Sequence, residues 1–183
     1  MITLYDDKSK SVEDFLDIQK GYMREVNRVL SVLEKGPRYV ILPEGPHAPK
    51  AFRILDSKGQ KIVLSGRKGV YLYWAKGVPL YVGESSTCLR DRLGYFIASV
   101  WDKSHSSENH HGGNVYRMLH GTGNFDDLLY SYVEVDEKRF DTKSLEAMAV
   151  QYFNPSYKHH LEEYKREKMV EEYDGHTLES FFS

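Results

Sequence analysis

Tyr71, Tyr81, Arg92 and Glu146 are the side chains whose types and placing suit work on a phosphodiester. Such a reaction needs an activated water, stabilisation of a pentavalent transition state and help for the departing oxygen. A carboxylate holding one hard divalent ion serves the last two needs, and Mg²⁺ typically takes only one or two protein carboxylates. Glu146 is the candidate metal ligand. A guanidinium offers a fixed fork of donors matched to phosphate oxygens, and Arg92 is the candidate for it. A phenol has an ordinary pKa near about 10. Its use as a base requires a cationic surround, for which Arg92, a metal ion and Lys68 or Lys76 are at hand.

These residues need elements to position them. Gly69-Val70-Tyr71-Leu72-Tyr73-Trp74 and Leu80-Tyr81-Val82-Gly83 are runs of β-branched and aromatic residues, joined through Lys76-Gly77-Val78-Pro79. That pattern predicts a β-hairpin. At about 3.3 Å per residue, with a tight reversal, Tyr71 and Tyr81 fall on neighbouring strands and can face the same side. Ser85 or Ser86 then caps a helix running to about Trp101, with Leu89, Leu93, Phe96, Ile97 and Val100 on its buried side. A His-rich loop containing His105, His110 and His111 leads into a short helix ending near Leu119, and a strand follows over 128–135. Thr142 is the expected cap of the helix that carries Glu146.

Gly69-Val70-Tyr71 and Tyr81-Val82-Gly83 resemble the paired tripeptides of the GIY-YIG nuclease superfamily. The stretch Glu84 to Leu93 is similar to that family's polar loop and arginine helix, and Leu145-Glu146-Ala147 with Asn154-Pro155-Ser156-Tyr157-Lys158 to its glutamate helix and Pro-x-Tyr-Asn ending. The resemblance spans 69–158 and is strongest to the small restriction endonucleases. It implies an α+β fold, a small, mainly antiparallel three-stranded sheet flanked by helices. It also implies a sequence-specific, Mg²⁺- or Mn²⁺-dependent endonuclease acting on double-stranded DNA, with a hairpin tyrosine as general base or water-orienting group. Counted from Tyr81, the family's usual spacing lands on Asp91. One extra residue between Ser85 and Cys88 restores Leu-x-x-Arg at Leu89 to Arg92, with Arg90 the alternative. The His or Tyr often found one turn later is Phe96 here, the lysine some members carry is Glu84, and the last asparagine is Lys158.

Charge agrees with a nucleic-acid partner once its distribution is considered. The net charge is −2, yet residues 35–68 hold eight basic side chains against Glu44 and Asp56. Such asymmetry suits a face that tracks phosphates. Arg53, Lys61, Arg67, Lys68, Lys76, Arg90, His110 and His111 are the expected DNA contacts. Cys88 is the only cysteine, so neither an intrachain disulfide nor a cysteine-based zinc cluster can form. No apolar run reaches membrane-spanning length and the amino terminus lacks a signal-peptide build, so no membrane partner and a cytoplasmic location are expected.

Residues 1–68 read as an extension packed on the core, followed by the nuclease-like core over 69–158 and a charged helical tail over 159–183. Within the extension, Ser11 and Asp14 form a capping-box signal, and an apolar stripe runs from Val12 to Leu33 until Gly36-Pro37 stops it. That helix is a packing element or a homodimer surface. Strands are expected over 38–42, 51–55 and 61–64. Alternatives are a catalytically silent DNA-binding module of the same fold, and a phage, mobile-element or repair nuclease. A histidine zinc site, a His-Asn-His nuclease and a PD-(D/E)xK site at 126–138 are weaker matches to the residues.

Overall fold

A computed structural model describes residues 11–44, 51–101 and 110–158. In chain order they form α1 (Val12–Lys35), β1 (Tyr39–Pro43), β2 (Phe52–Leu55), β3 (Gly69–Ala75), β4 (Val78–Ser85), α2 (Leu89–Trp101), α3 (His111–His120), β5 (Leu128–Glu134) and α4 (Thr142–Phe153). The class is α+β. The strands make one antiparallel sheet in the order β2-β1-β5-β3-β4. The expected three-stranded sheet is therefore too small. The outer edge of β5 is not left open, because β1 pairs with it through Tyr39 opposite Tyr130 and Val40 opposite Leu129, and β2 pairs with β1. The strand expected over 61–64 shrinks to one bridge between Leu55 and Lys61. A turn at Ser65-Gly66, closed by the Arg67 N–H on the Leu64 carbonyl, takes the chain away from the sheet. Gly66 has φ 74°, a left-handed conformation that side chains disfavour.

Both faces of the sheet are covered, so β3 reads as an unbroken buried run from Gly69 to Trp74. On one face Tyr71, Tyr73, Tyr81 and Tyr130 meet Leu89, Leu93 and Phe96 of α2 and Val115 and Tyr116 of α3. The opposite face carries Val70, Leu72, Trp74, Val82 and Val133, which pack on Val26, Val29 and Leu33 of α1 and on Leu145 and Ala149 of α4. Each fully buried aliphatic side chain contributes about 1.5–3 kcal/mol of transfer free energy. Ser131, a polar residue within this second layer, is satisfied by accepting the Trp74 indole N–H at 2.9 Å.

The capping box forms, with the Asp14 N–H donating to Ser11 Oγ at 3.1 Å and the Ser11 N–H donating to Asp14 at 2.9 Å. Of the expected apolar stripe, however, only the C-terminal half lies on the sheet, and Val12, Phe15 and Leu16 are exposed. Geometry explains the difference. A 24-residue helix extends about 36 Å, whereas a strand of five to seven residues covers only about 17–24 Å. Arg28 ties the covered half to the sheet by donating to the Glu134 carbonyl at 2.7 Å. The cap of α4 is Asp141, not Thr142, because the Asp141 carboxylate accepts both the N–H (2.9 Å) and the hydroxyl (2.6 Å) of Ser144. The expected tail helix over 159–183, and His105 with most of its loop, lie outside the described residues.

Candidate active site

The hairpin register sets the two tyrosines diagonally: Tyr71 opposes Gly83, and Tyr81 opposes Tyr73. Their ring centroids are 6.2 Å apart on one face. Both tripeptide glycines are required by contacts. A methyl group at Gly83 would fall on the hydroxyl and ring of Tyr71, and one at Gly69 would strike the Val133 carbonyl. Leu80 is an extra residue in β4, since the register passes from Tyr73–Tyr81 to Trp74–Pro79. This bulge lies on the outer edge of the sheet, where the segment after α4 covers it. The Ser156 N–H donates to the Pro79 carbonyl and the Tyr157 N–H to the Leu80 carbonyl, both at 3.0 Å.

Helix α2 brings the arginine. Arg92 Nε donates to the Tyr71 hydroxyl at 3.3 Å, and the Tyr81 hydroxyl lies within hydrogen-bonding reach of both Arg92 and Tyr71. Glu146, half-buried on α4, is close enough for its charge to act on Tyr81. Tyr71, Tyr81 and Arg92 are thus brought together from β3, β4 and α2, and the Glu146 charge on α4 reaches Tyr81. Arg90 is not part of this group. Two residues turn a helix by about 200°, and Arg90 instead stacks over Phe52 with its guanidinium carbon 4.6 Å from the ring centroid. Phe52, Asp91, Gly94 and Tyr95 line a small cavity of 110 Å³ beside it.

Electrostatics at the tyrosines run against the expectation of a depressed pKa. Burial pushes the Tyr71 phenol well above its ordinary value, the neighbouring Tyr81 adds to the rise, and Arg92 offsets only part of it. Tyr81 is also raised by burial, with Arg92 opposing and the Glu146 charge reinforcing the rise. Lys68 and Lys76 bring no relief, because they are held by Glu137 (2.8 Å) and Asp127 (3.7 Å). For Arg92, burial disfavours the charged form, but the phenol oxygens of Tyr71 and Tyr81 outweigh it and raise its pKa.

His110 also belongs to this site, although its sequence setting suggested a DNA-contacting loop. It is 1% exposed and caps α3. Nε2 lies 2.9 Å from the Tyr71 hydroxyl, Nδ1 accepts the Gly113 N–H at 3.3 Å, and its backbone N–H donates to Ser99 Oγ at 2.7 Å. Burial lowers its pKa well below the ordinary histidine value, helped by the positive charge of Arg92 and by His111. The ring is therefore neutral. With Nδ1 accepting, the proton sits on Nε2 and points at Tyr71. The sequence signal was the following Gly112-Gly113. A methyl group at Gly112 would come within 2.9 Å of the Tyr81 ring, and one at Gly113 within 2.7 Å of the Phe96 carbonyl oxygen. His111 is exposed.

The other expected DNA contacts lie at the surface. Arg53 pairs with Glu44 at 3.7 Å, and Arg67 with Glu134 at 2.6 Å and the Tyr132 hydroxyl at 2.9 Å, while Lys61 is exposed. Exposed pairs of this kind are worth about 0–1 kcal/mol, so a phosphate can replace the carboxylate cheaply. Glu84 accepts the Thr142 hydroxyl at 2.9 Å and anchors α4 to β4.

Among the described residues no group of three or more His, Cys, Asp or Glu side chains could hold a metal ion, so no zinc-like cage exists there. A single carboxylate suits a different ion. Mg²⁺ keeps most of its water and needs only one or two protein carboxylates, a demand Glu146 can meet. Comparison of the chain with family models, curated proteins and solved structures finds no match.

Proposed function

We propose that the protein is a metal-dependent endonuclease of the GIY-YIG kind, hydrolysing double-stranded DNA at a recognised sequence. The observation that carries this reading is the meeting of Tyr71, Tyr81 and Arg92 from β3, β4 and α2, with Glu146 of α4 within electrostatic reach of Tyr81. Arg92 is placed to hold a phosphate oxygen and to stabilise the charge that grows on it. Tyr81, at 9% exposed against 1% for Tyr71, is the phenol that meets the substrate and orients the attacking water. Hydrogen bonds from Arg92 and Tyr71 oppose the effect of burial at its oxygen, so it is the phenol of the pair whose ionised form is the less disfavoured; as a phenolate it would take the water's proton and become neutral. Glu146 would hold Mg²⁺ or Mn²⁺. When bound, the ion supplies charge neutralisation at the phosphate and the leaving oxygen.

A palindromic target would favour a homodimer that cuts both strands. A second reading, a silent DNA-binding module, draws on Phe96 standing where an active-site His or Tyr is expected and on the raised phenol pKa values. Incubation of the purified protein with plasmid and genomic DNA, in Mg²⁺ or in EDTA, decides between them. Discrete Mg²⁺-dependent fragments are expected. Intact DNA with a salt-sensitive gel shift would favour the binding module.

A further inference from the structure

Helix α2 presents Phe96 one turn beyond Arg92, and Phe96 cannot hydrogen-bond. Its ring instead stacks on Tyr73 with centroids 4.0 Å apart. Against it, with ring centroids 5.5 Å apart, lies His110, brought in from the start of α3. We infer that His110 is a positioning residue of the nuclease site: its Nε2–H holds the Tyr71 oxygen and so turns the Tyr71 O–H toward Tyr81. This rests on the endonuclease reading, and it gives His110 a role its place in a His-rich surface loop did not suggest.

Hydrogen-bond capacity carries the argument. A phenol oxygen accepts two hydrogen bonds and donates one. His110 Nε2 (2.9 Å) and Arg92 Nε (3.3 Å) occupy both accepting sides of Tyr71. Its single proton is left for another acceptor, and the Tyr81 hydroxyl lies within reach. The imidazole can serve only as a donor there, since the Gly113 N–H engages Nδ1 and fixes the tautomer. Its orientation is held further by the Ser99 hydroxyl on its backbone N–H, and Arg117 ties α3 to α2 by donating to the Ser99 carbonyl. The other titratable groups facing Tyr71 are Tyr73 on its own strand, Tyr81 on β4, Arg92 on α2 and Tyr130 on β5. Neither Tyr73 nor Tyr130 has a hydrogen-bond partner for its hydroxyl among the described residues. Within this aromatic layer the Tyr71 hydroxyl is therefore singled out for an ordered chain, running from His110 through Tyr71 to Tyr81.

Two substitutions separate this role from that of a helix cap. His110→Gln places an amide N–H near the position of Nε2 but loses the Nδ1 acceptor. His110→Asn keeps a good capping acceptor but is too short to reach Tyr71. The expected result is that His110→Asn lowers kcat about 10²-fold with KM within a few-fold, as for a misplaced reacting group. His110→Gln retains most of kcat. The opposite order, Gln impaired and Asn intact, would overturn the positioning role, as would a change confined to KM. A second readout is independent of cleavage. In ¹⁵N-histidine-labelled protein, His110 should be the Nε2–H tautomer, with a slowly exchanging ring proton that is lost in Tyr71→Phe. An Nδ1–H tautomer or a charged ring would refute the hydrogen bond. Wild-type protein that cleaves no DNA but shows the Nε2–H signature would overturn the nuclease reading while upholding the arrangement.

Discussion

At the scale of single residues, Arg90 and Arg92 are the sharpest contrast, because they share a helix turn and differ in what they touch. Arg92 donates to Tyr71, whereas Arg90 lies over Phe52. Arg92→Ala should therefore reduce kcat about 10²–10³-fold, the usual cost of removing one transition-state donor. Arg92→Lys should not restore it, since an ammonium lacks the fork. Arg90→Ala should change cleavage only a few-fold, and the reverse ranking in single-turnover assays would move the site to the other side of α2. Glu146→Gln should abolish cleavage while leaving a DNA gel shift nearly intact, because it removes the carboxylate charge but little contact surface. Full activity in that variant would refute its role as metal ligand. Tyr71 and Tyr81 could be paired from sequence because hairpin spacing constrains them, whereas Arg92 and Glu146 were legible only through their resemblance to a known motif. His110 could not be placed in the site, since its contact with Tyr71 spans 39 residues through a loop whose length implies no register. The direction of the phenol pKa shifts was also hidden, because a cationic neighbour is visible in sequence and complete burial is not.

The elements show the same division between local and non-local information. Helix α1 has the expected ends at Val12 and Lys35, because a capping box and a Gly-Pro stop are written in adjacent residues. The β3–β4 hairpin is equally local. The pairing of β1 with β5 is not: Tyr39 finds Tyr130 across half of the chain, and no short-range pattern announces it. Glycine illustrates how an element can serve the site. At Gly83 the strand backbone is in contact with Tyr71, and Gly83→Ala must displace that ring. Such overpacking costs about 1–3 kcal/mol, which lowers Tm by about 2–12 °C in a chain of this size. Cleavage should be lost in the same variant. Gly77 at the hairpin turn is a control, with φ 82° and open space around it. Gly77→Ala should cost about 1–2 kcal/mol through its left-handed backbone and leave kcat unchanged. Equal activity in the two variants, measured by thermal melts and cleavage on the same preparations, would show that Tyr71 has no fixed position to keep.

For the whole molecule, a two-sided sheet with an aromatic layer couples the site to stability through protons. Tyr71, Tyr73, Tyr81 and Tyr130 are buried, and burial raises the pKa of each phenol. In the unfolded chain these groups ionise near about pH 10. Above that pH the unfolded state has released protons that the folded state retains, so unfolding becomes more favourable as pH rises. Stability is then fully present below about pH 10 and falls above it, by up to about 1.4 kcal/mol per pH unit for each such phenol. The sign is opposite for His110, whose pKa is lowered by burial and by the Arg92 charge. It stays neutral in the folded state but gains a proton on unfolding below about pH 6.5, so its contribution is present above that value and fades toward acid. Urea unfolding across this range should give a plateau between the two limits, with steep loss on the alkaline side. His110→Gln, which cannot take up a proton, should flatten the acid limb, and Tyr71→Phe should make the alkaline limb shallower. An alkaline limb with the wild-type slope in Tyr71→Phe would mean that the phenol ionises while the protein is still folded. Tyr71 would then be open to solvent, and the ordered chain from His110 to Tyr81 could not persist.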